Sequence, residues 1–210
     1  AACEAALTML AIDDLQNSVT ARMQRAHGQA SVSFRSRDGQ TCLDRLFQEG
    51  CAKLRFPRPL GTDDPQAIII NTAGGLTGGD RFGAEVTLAA GAAAAVTTQA
   101  CERIYRSTGA DAAVTNRLRL AAGARLAWLP QETILFDGGR LSRSLDVDLA
   151  DDAELVAVEA VLFGRQAMGE TLHSGHLHDR WRIRRDGRLL FADDLRVGGN
   201  IAARLAPQPA

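Results

Sequence analysis

Lysine is nearly missing from this chain: Lys53 is the only one, and every other cationic side chain is an arginine. That bears on the glycine-rich stretch Asn71-Thr72-Ala73-Gly74-Gly75-Leu76-Thr77-Gly78-Gly79-Asp80, which otherwise invites a phosphate-binding reading. A P-loop needs a lysine after its last glycine to reach the phosphates, and here Asp80 takes that place. A dinucleotide loop needs a helix to follow, whereas Arg81–Leu88 alternates like a strand. The better reading is a tight turn between strands, with Gly74, Gly75, Gly78 and Gly79 supplying backbone freedom. Net charge is also missing. The formal value is −1, which argues against nucleic-acid or membrane-surface binding driven by bulk charge. No apolar run approaches the roughly 20 residues of a membrane span. No basic segment followed by an apolar one marks a secretory leader, so a cytoplasmic location is expected; Met9 is a candidate natural start. The four cysteines (Cys3, Cys42, Cys51, Cys101) include no C-x-x-C pair, which excludes a zinc framework and fits free thiols in a reducing compartment. No Gly-x-Ser-x-Gly elbow is present.

What is present is β pattern. Residues 1–28 form an N-terminal extension with a weak helical pattern over Glu4–Ala21. From Ala30 the chain alternates, turns at Asp38-Gly39, and continues extended through Leu43–Phe56 to a Pro57-Arg58-Pro59 loop. A repeat then appears. Val86–Gln99, Leu118–Gln131 and Val147–Ala160 share a strand–turn–strand pattern, and Trp181–Ala192 is a looser fourth copy. Leu88, Leu120 and Leu149 fall in equivalent places. Units of about 30 residues that cannot bury a face alone must stack. The prediction is an all-β body over 29–198 built of stacked hairpins, layered and solenoid-like, with one or two short helices and a tail at 199–210. One short helix is expected within Leu162–Glu170.

No catalytic set emerges. Glu132 and Asp137 would point to opposite strand faces, so they are no obvious acid–base pair, yet a charge among buried-looking neighbours needs a reason. His176 and His178 would share a strand face, with His173 nearby. Imidazole suits nickel, zinc or copper, but Gly175, Asp179 and Arg180 equally fit a wet rim. Arg180, Arg182 and Arg184 share a face, which suits either solvent or an acidic partner.

Several blocks in order resemble the urease accessory protein UreD (UreH) family: Phe56-Pro57-Arg58-Pro59, Asn71–Asp80, Thr97–Ala100 with Ile104–Ser107, Trp128–Gly138, Gly164–Glu170 and Asp179-Arg180-Trp181. The resemblance implies a non-enzymatic β scaffold without a tightly bound cofactor. It would bind the urease apoprotein and UreF, engage the GTPase UreG through UreF, and carry nickel(II) in transit through an internal, water-filled passage. By matching motif positions, Asp80, Glu132, Asp137 and Glu170 are candidates to line that passage, and Tyr105, Arg106, Arg165 and Arg180 are candidates for partner binding. His176 and His178 lie outside the shared blocks. Family members usually run on beyond the equivalent of Ala210, so a shortened C-terminus is expected. The alternatives left open are a β-rich hydrolase using Asp80 or Glu132 and a stand-alone metal-binding module using the histidines.

Overall fold

A computed structural model describes residues 24–58 and 64–206; the helical pattern at Glu4–Ala21 and the end of the tail lie outside the described residues. The strands are β1 (His27–Arg37), β2 (Gln40–Gly50), β3 (Ala52–Arg55), β4 (Gln66–Asn71), β5 (Arg81–Leu88), β6 (Ala93–Thr98), β7 (Glu102–Ile104), β8 (Ala112–Leu120), β9 (Arg125–Leu129), β10 (Thr133–Leu135), β11 (Arg140–Leu149), β12 (Glu154–Ala157), β13 (Val161–Phe163), β14 (His176–Arg185) and β15 (Arg188–Gly198). A 3-10 turn at Gln166–Met168 and a short helix α1 (Ile201–Leu205) complete the set.

These strands form three sheets: β15-β14-β11-β8-β5-β1-β2, β12-β9-β6-β4-β3, and a small β13-β10-β7. Successive coils contribute one strand to each. β5, β8, β11 and β14 stack in parallel, as do β6, β9, β12 and β7, β10, β13. The body is therefore solenoid-like, as the repeats predicted, and Leu88, Leu120 and Leu149 are direct ladder partners. The two arms of the first three repeats do not pair with each other as hairpins, however. Each turn carries the chain from the large sheet across to the middle one, because each arm has one apolar face and both faces must meet in one core. That core runs along the inward residues of both sheets, including Val86, Leu118, Val147, Val96 and Trp128. Full burial of such side chains stabilises the fold by roughly 1.5–3 kcal/mol each.

True antiparallel hairpins occur at the two ends of the large sheet, β1–β2 and β14–β15. Both turn on Asp-Gly pairs, Asp38-Gly39 and Asp186-Gly187, with positive φ at each residue. That backbone matches the twist of paired strands. At the second pair the chain turns back into the large sheet instead of crossing over. Among the described residues β12 and β13 are consequently left as sheet edges. Along that edge Val156, Val158, Ala160 and Leu162 face outward and are exposed. The helix expected within Leu162–Glu170 is reduced to the 3-10 turn, because Val161–Phe163 pairs with Thr133–Leu135 and ladder pairing overrides local helix propensity. Among the described residues no helix is long and apolar enough to cross a membrane.

Candidate functional site

The glycine loop joins β4 to β5 and packs against the loop of the next coil. A Cβ on Gly78 would lie 1.9 Å from Ser107 Oγ and 2.3 Å from the Ala110 carbonyl; one on Gly75 would lie 2.4 Å from the Tyr105 ring. Gly74 and Gly79 adopt φ of 77° and 89°. The glycines thus permit close approach of chain to chain. Asp80 closes the loop: its carboxylate is buried and accepts from Ala26 N and Thr77 N, both at 2.8 Å.

Beside this loop, five of the residues singled out from the sequence converge. The Tyr105 ring meets Phe136 edge-on at 5.2 Å, and the Arg165 guanidinium lies 4.6 Å over the same Phe136 ring. Arg165 Nε donates to Glu170 Oε2 at 2.9 Å, and Arg106 pairs with Asp137. Ser174 N donates to Asp137 Oδ1 at 2.9 Å. The Ser174 N–H, with Arg106 nearby, holds the Asp137 carboxyl below its ordinary range, and Arg165 does the same for Glu170. Arg180 lies apart on β14, paired with Asp146 at 3.0 Å. His176 faces Asp111 and His178 faces Asp194, at 3.6 and 3.0 Å. Among the described residues no three His, Cys, Asp or Glu side chains are grouped to hold a metal ion.

A second feature lies inside. Between the large and middle sheets is a cavity of about 60 Å³, walled by Trp128, Asn116, Thr133, Arg143, Glu159 and Glu102 among others. That is room for a few waters. It shares Ile69, Phe82, Thr98 and Glu102 with a surface groove of about 200 Å³ beside Gly74 and Gly75. Gln131 and Thr133 line the cavity, whereas Glu132 does not. Glu132 is half-buried, and its backbone carbonyl receives the Glu102 N–H.

The cavity's charge is unusual. Arg143, Glu159 and Asp179 have side chains only 6%, 1% and 11% exposed. Arg143 grips Asp179 with Nε (3.1 Å to Oδ1) and Nη2, and reaches Thr133 Oγ1 with Nη1 at 3.4 Å. Glu159 Oε1 accepts from Trp128 Nε1 at 2.9 Å and Asn116 Nδ2 at 3.3 Å. Glu159 Oε2 stands 3.2 Å from Arg143 Nε, but the Nε hydrogen is directed at Asp179, so Oε2 has no hydrogen-bond donor among the described residues. Burial pushes the Glu159 carboxyl up, with Arg143 only partly countering it. Burial likewise raises Glu102, which accepts from Asn71 Nδ2 at 3.1 Å.

The sequence reading did not single out Glu102, Arg143 or Glu159. A signal existed. Leu141, Arg143, Leu145 and Val147 share one strand phase, as do Leu177 and Asp179, and Leu155, Ala157, Glu159 and Val161. A charged residue in the inward phase of an otherwise apolar run marks a buried polar site.

Residues 26–210 match the family described as UreD urease accessory protein. A protein of Chelativorans sp. (strain BNC1) named urease accessory protein UreD is 56% identical over 184 residues, covering 88% of this chain and 66% of that protein. Proteins of the same name from Brucella suis and Rhizobium leguminosarum bv. viciae are 50% and 52% identical over 197 and 191 residues. They are covered to 70% each, against 94% and 91% of this chain. The chain thus spans about two thirds of the length of these relatives.

Proposed function

The chain belongs to the UreD family of urease accessory proteins, and on that premise we propose that it is a cytoplasmic scaffold for urease maturation that passes nickel(II) toward the urease active site. It binds the urease apoprotein and UreF, and meets UreG through UreF. The observation that carries the nickel part is the buried Glu159 oxygen without a donor, inside a cavity that adjoins a surface groove at Glu102. A hydrated divalent ion favours oxygen ligands, and transit requires that they hold it loosely.

Within this reading Glu102 and Glu159 are the first carboxylates the ion meets. Of those expected from the motifs, Asp80 is occupied by two backbone N–H groups, and Asp137 and Glu170 by the ion pairs of the loop cluster. They shape the groove's surroundings. Docking draws on the aromatic–arginine cluster at Tyr105, Arg106 and Arg165 and on the exposed Val156–Leu162 row, since open sheet edges and uncharged patches recruit partners.

The test is co-expression with urease subunits and the other accessory proteins, reading urea hydrolysis. The Glu102→Gln/Glu159→Gln double variant is expected to form the same complexes and to activate urease at least tenfold less. Full activation by that variant would remove the passage from the account.

A further inference from the structure

Building on that passage, we propose that Arg143 is a fixed internal counter-ion that competes with the travelling cation for Glu159 and so keeps its stay there short. The guanidinium is anchored elsewhere: both of its hydrogen bonds to carboxylate go to Asp179. It nevertheless lies 3.2 Å from Glu159 Oε2. Oε1 is already filled by Trp128 and Asn116, so a cation reaching this carboxylate must use Oε2, beside a positive charge that cannot leave without abandoning Asp179. Two carboxylates and one guanidinium sum to one negative charge, almost wholly buried where screening is weak. The cluster therefore attracts a cation while Arg143 limits how tightly it is held. A like charge within a few ångströms disfavours a second cation by the same rule that shifts the titration of neighbouring groups.

The experiment titrates the isolated chain with nickel(II) by calorimetry. Arg143→Gln is the direct variant, but it strands Asp179 in the interior. Arg143→Gln/Asp179→Asn avoids this and keeps the cluster at one negative charge, so any gain reports local competition and not net charge. Both variants, checked for folding by circular dichroism, are expected to bind nickel at least about tenfold tighter than the parent chain, or about 1.4 kcal/mol. Adding Glu159→Gln should abolish the gain. The histidines at 173, 176 and 178 contribute the same background to every variant. A folded Arg143→Gln/Asp179→Asn chain that binds no tighter, or a gain that survives Glu159→Gln, overturns the proposal. Normal urease activation by Glu159→Gln would instead sink the passage reading while leaving the calorimetric result to stand.

Discussion

Replacing Arg143 by Met removes the one positive charge from the interior cluster and keeps most of its aliphatic volume. Asp179 then loses both guanidinium hydrogen bonds, and Glu159 loses its nearby opposite charge. All three side chains are nearly sealed from water. Breaking such a pair by deleting one partner costs about 3–5 kcal/mol, a large share of the roughly 5–15 kcal/mol that holds a domain. The melting temperature should fall by roughly 6–20 °C at this chain length. The pH dependence has a definite sign. Glu159 already titrates above its ordinary range because of burial, and Arg143 is the first influence opposing that. Without Arg143 the folded value rises further above the unfolded one. The penalty for ionised Glu159 is therefore absent below the unfolded value, near about 4.3, and grows as pH rises through the folded value. Urea denaturation at pH 7 and pH 4 measures this. The deficit of Arg143→Met should be largest at pH 7 and smaller at pH 4. A deficit under about 1 kcal/mol at pH 7, below the range for a broken buried pair, or one that grows on acidification, would refute the reasoning.

Three further outcomes follow from the packing. Leu118→Ala empties a fully buried position laddered between Val86 and Val147 and should cost about 3–5 kcal/mol by urea denaturation. Gly78→Ala should destabilise more than Gly74→Ala in thermal melts. The first drives a methyl into Ser107 and the Ala110 carbonyl, whereas the second meets only the cost of its positive φ, roughly 1–2 kcal/mol. Asp137 has its carboxyl held down by Ser174 N–H and Arg106, so it contributes stability above its unfolded value that is lost as pH falls through the depressed folded one. Melts of Asp137→Asn and the parent chain should therefore differ at pH 7 and converge as pH falls through the depressed folded value.

The large-scale fold was legible because coil spacing is a one-dimensional signal. Leu88, Leu120 and Leu149 sit at the same point of each repeat, and the ladder places them side by side. Local pattern could not say whether two arms joined by a tight turn pair with each other or cross to another sheet. Both outcomes need the same turn residues and the same alternation. Both true hairpins turn on Asp-Gly pairs, Asp38-Gly39 and Asp186-Gly187, but the third such pair, Asp137-Gly138, carries the chain from the small sheet to the large one, so the dipeptide alone does not decide between the two outcomes. The motif residues Tyr105, Arg106, Asp137, Arg165 and Glu170 were named from resemblance. That they form one cluster follows from the short sheet that stacks β7, β10 and β13, which no single segment reveals.

The interior cluster was hidden for a different reason. Arg143, Glu159 and Asp179 belong to β11, the link between β12 and β13, and β14, so their meeting depends on the register between coils of unequal length. Strand phase alone would have marked each as facing inward. It could not pair them, because shifting any coil by one residue exchanges its faces. The same reversal that ends the stack at Asp186-Gly187 leaves the Val156–Leu162 edge open beside Glu159. Across the segment from β12 to β13 the residues Val156, Val158, Ala160 and Leu162 are exposed, whereas Glu159 between them lines the cavity. A substitution on the outward side, such as Val158→Lys, should weaken complex formation and leave nickel binding by the isolated chain unchanged, whereas Glu159→Gln should do the reverse. Pull-down and calorimetry on the same two proteins decide this, and a variant that moved both readouts together would show that the two sides are not separable.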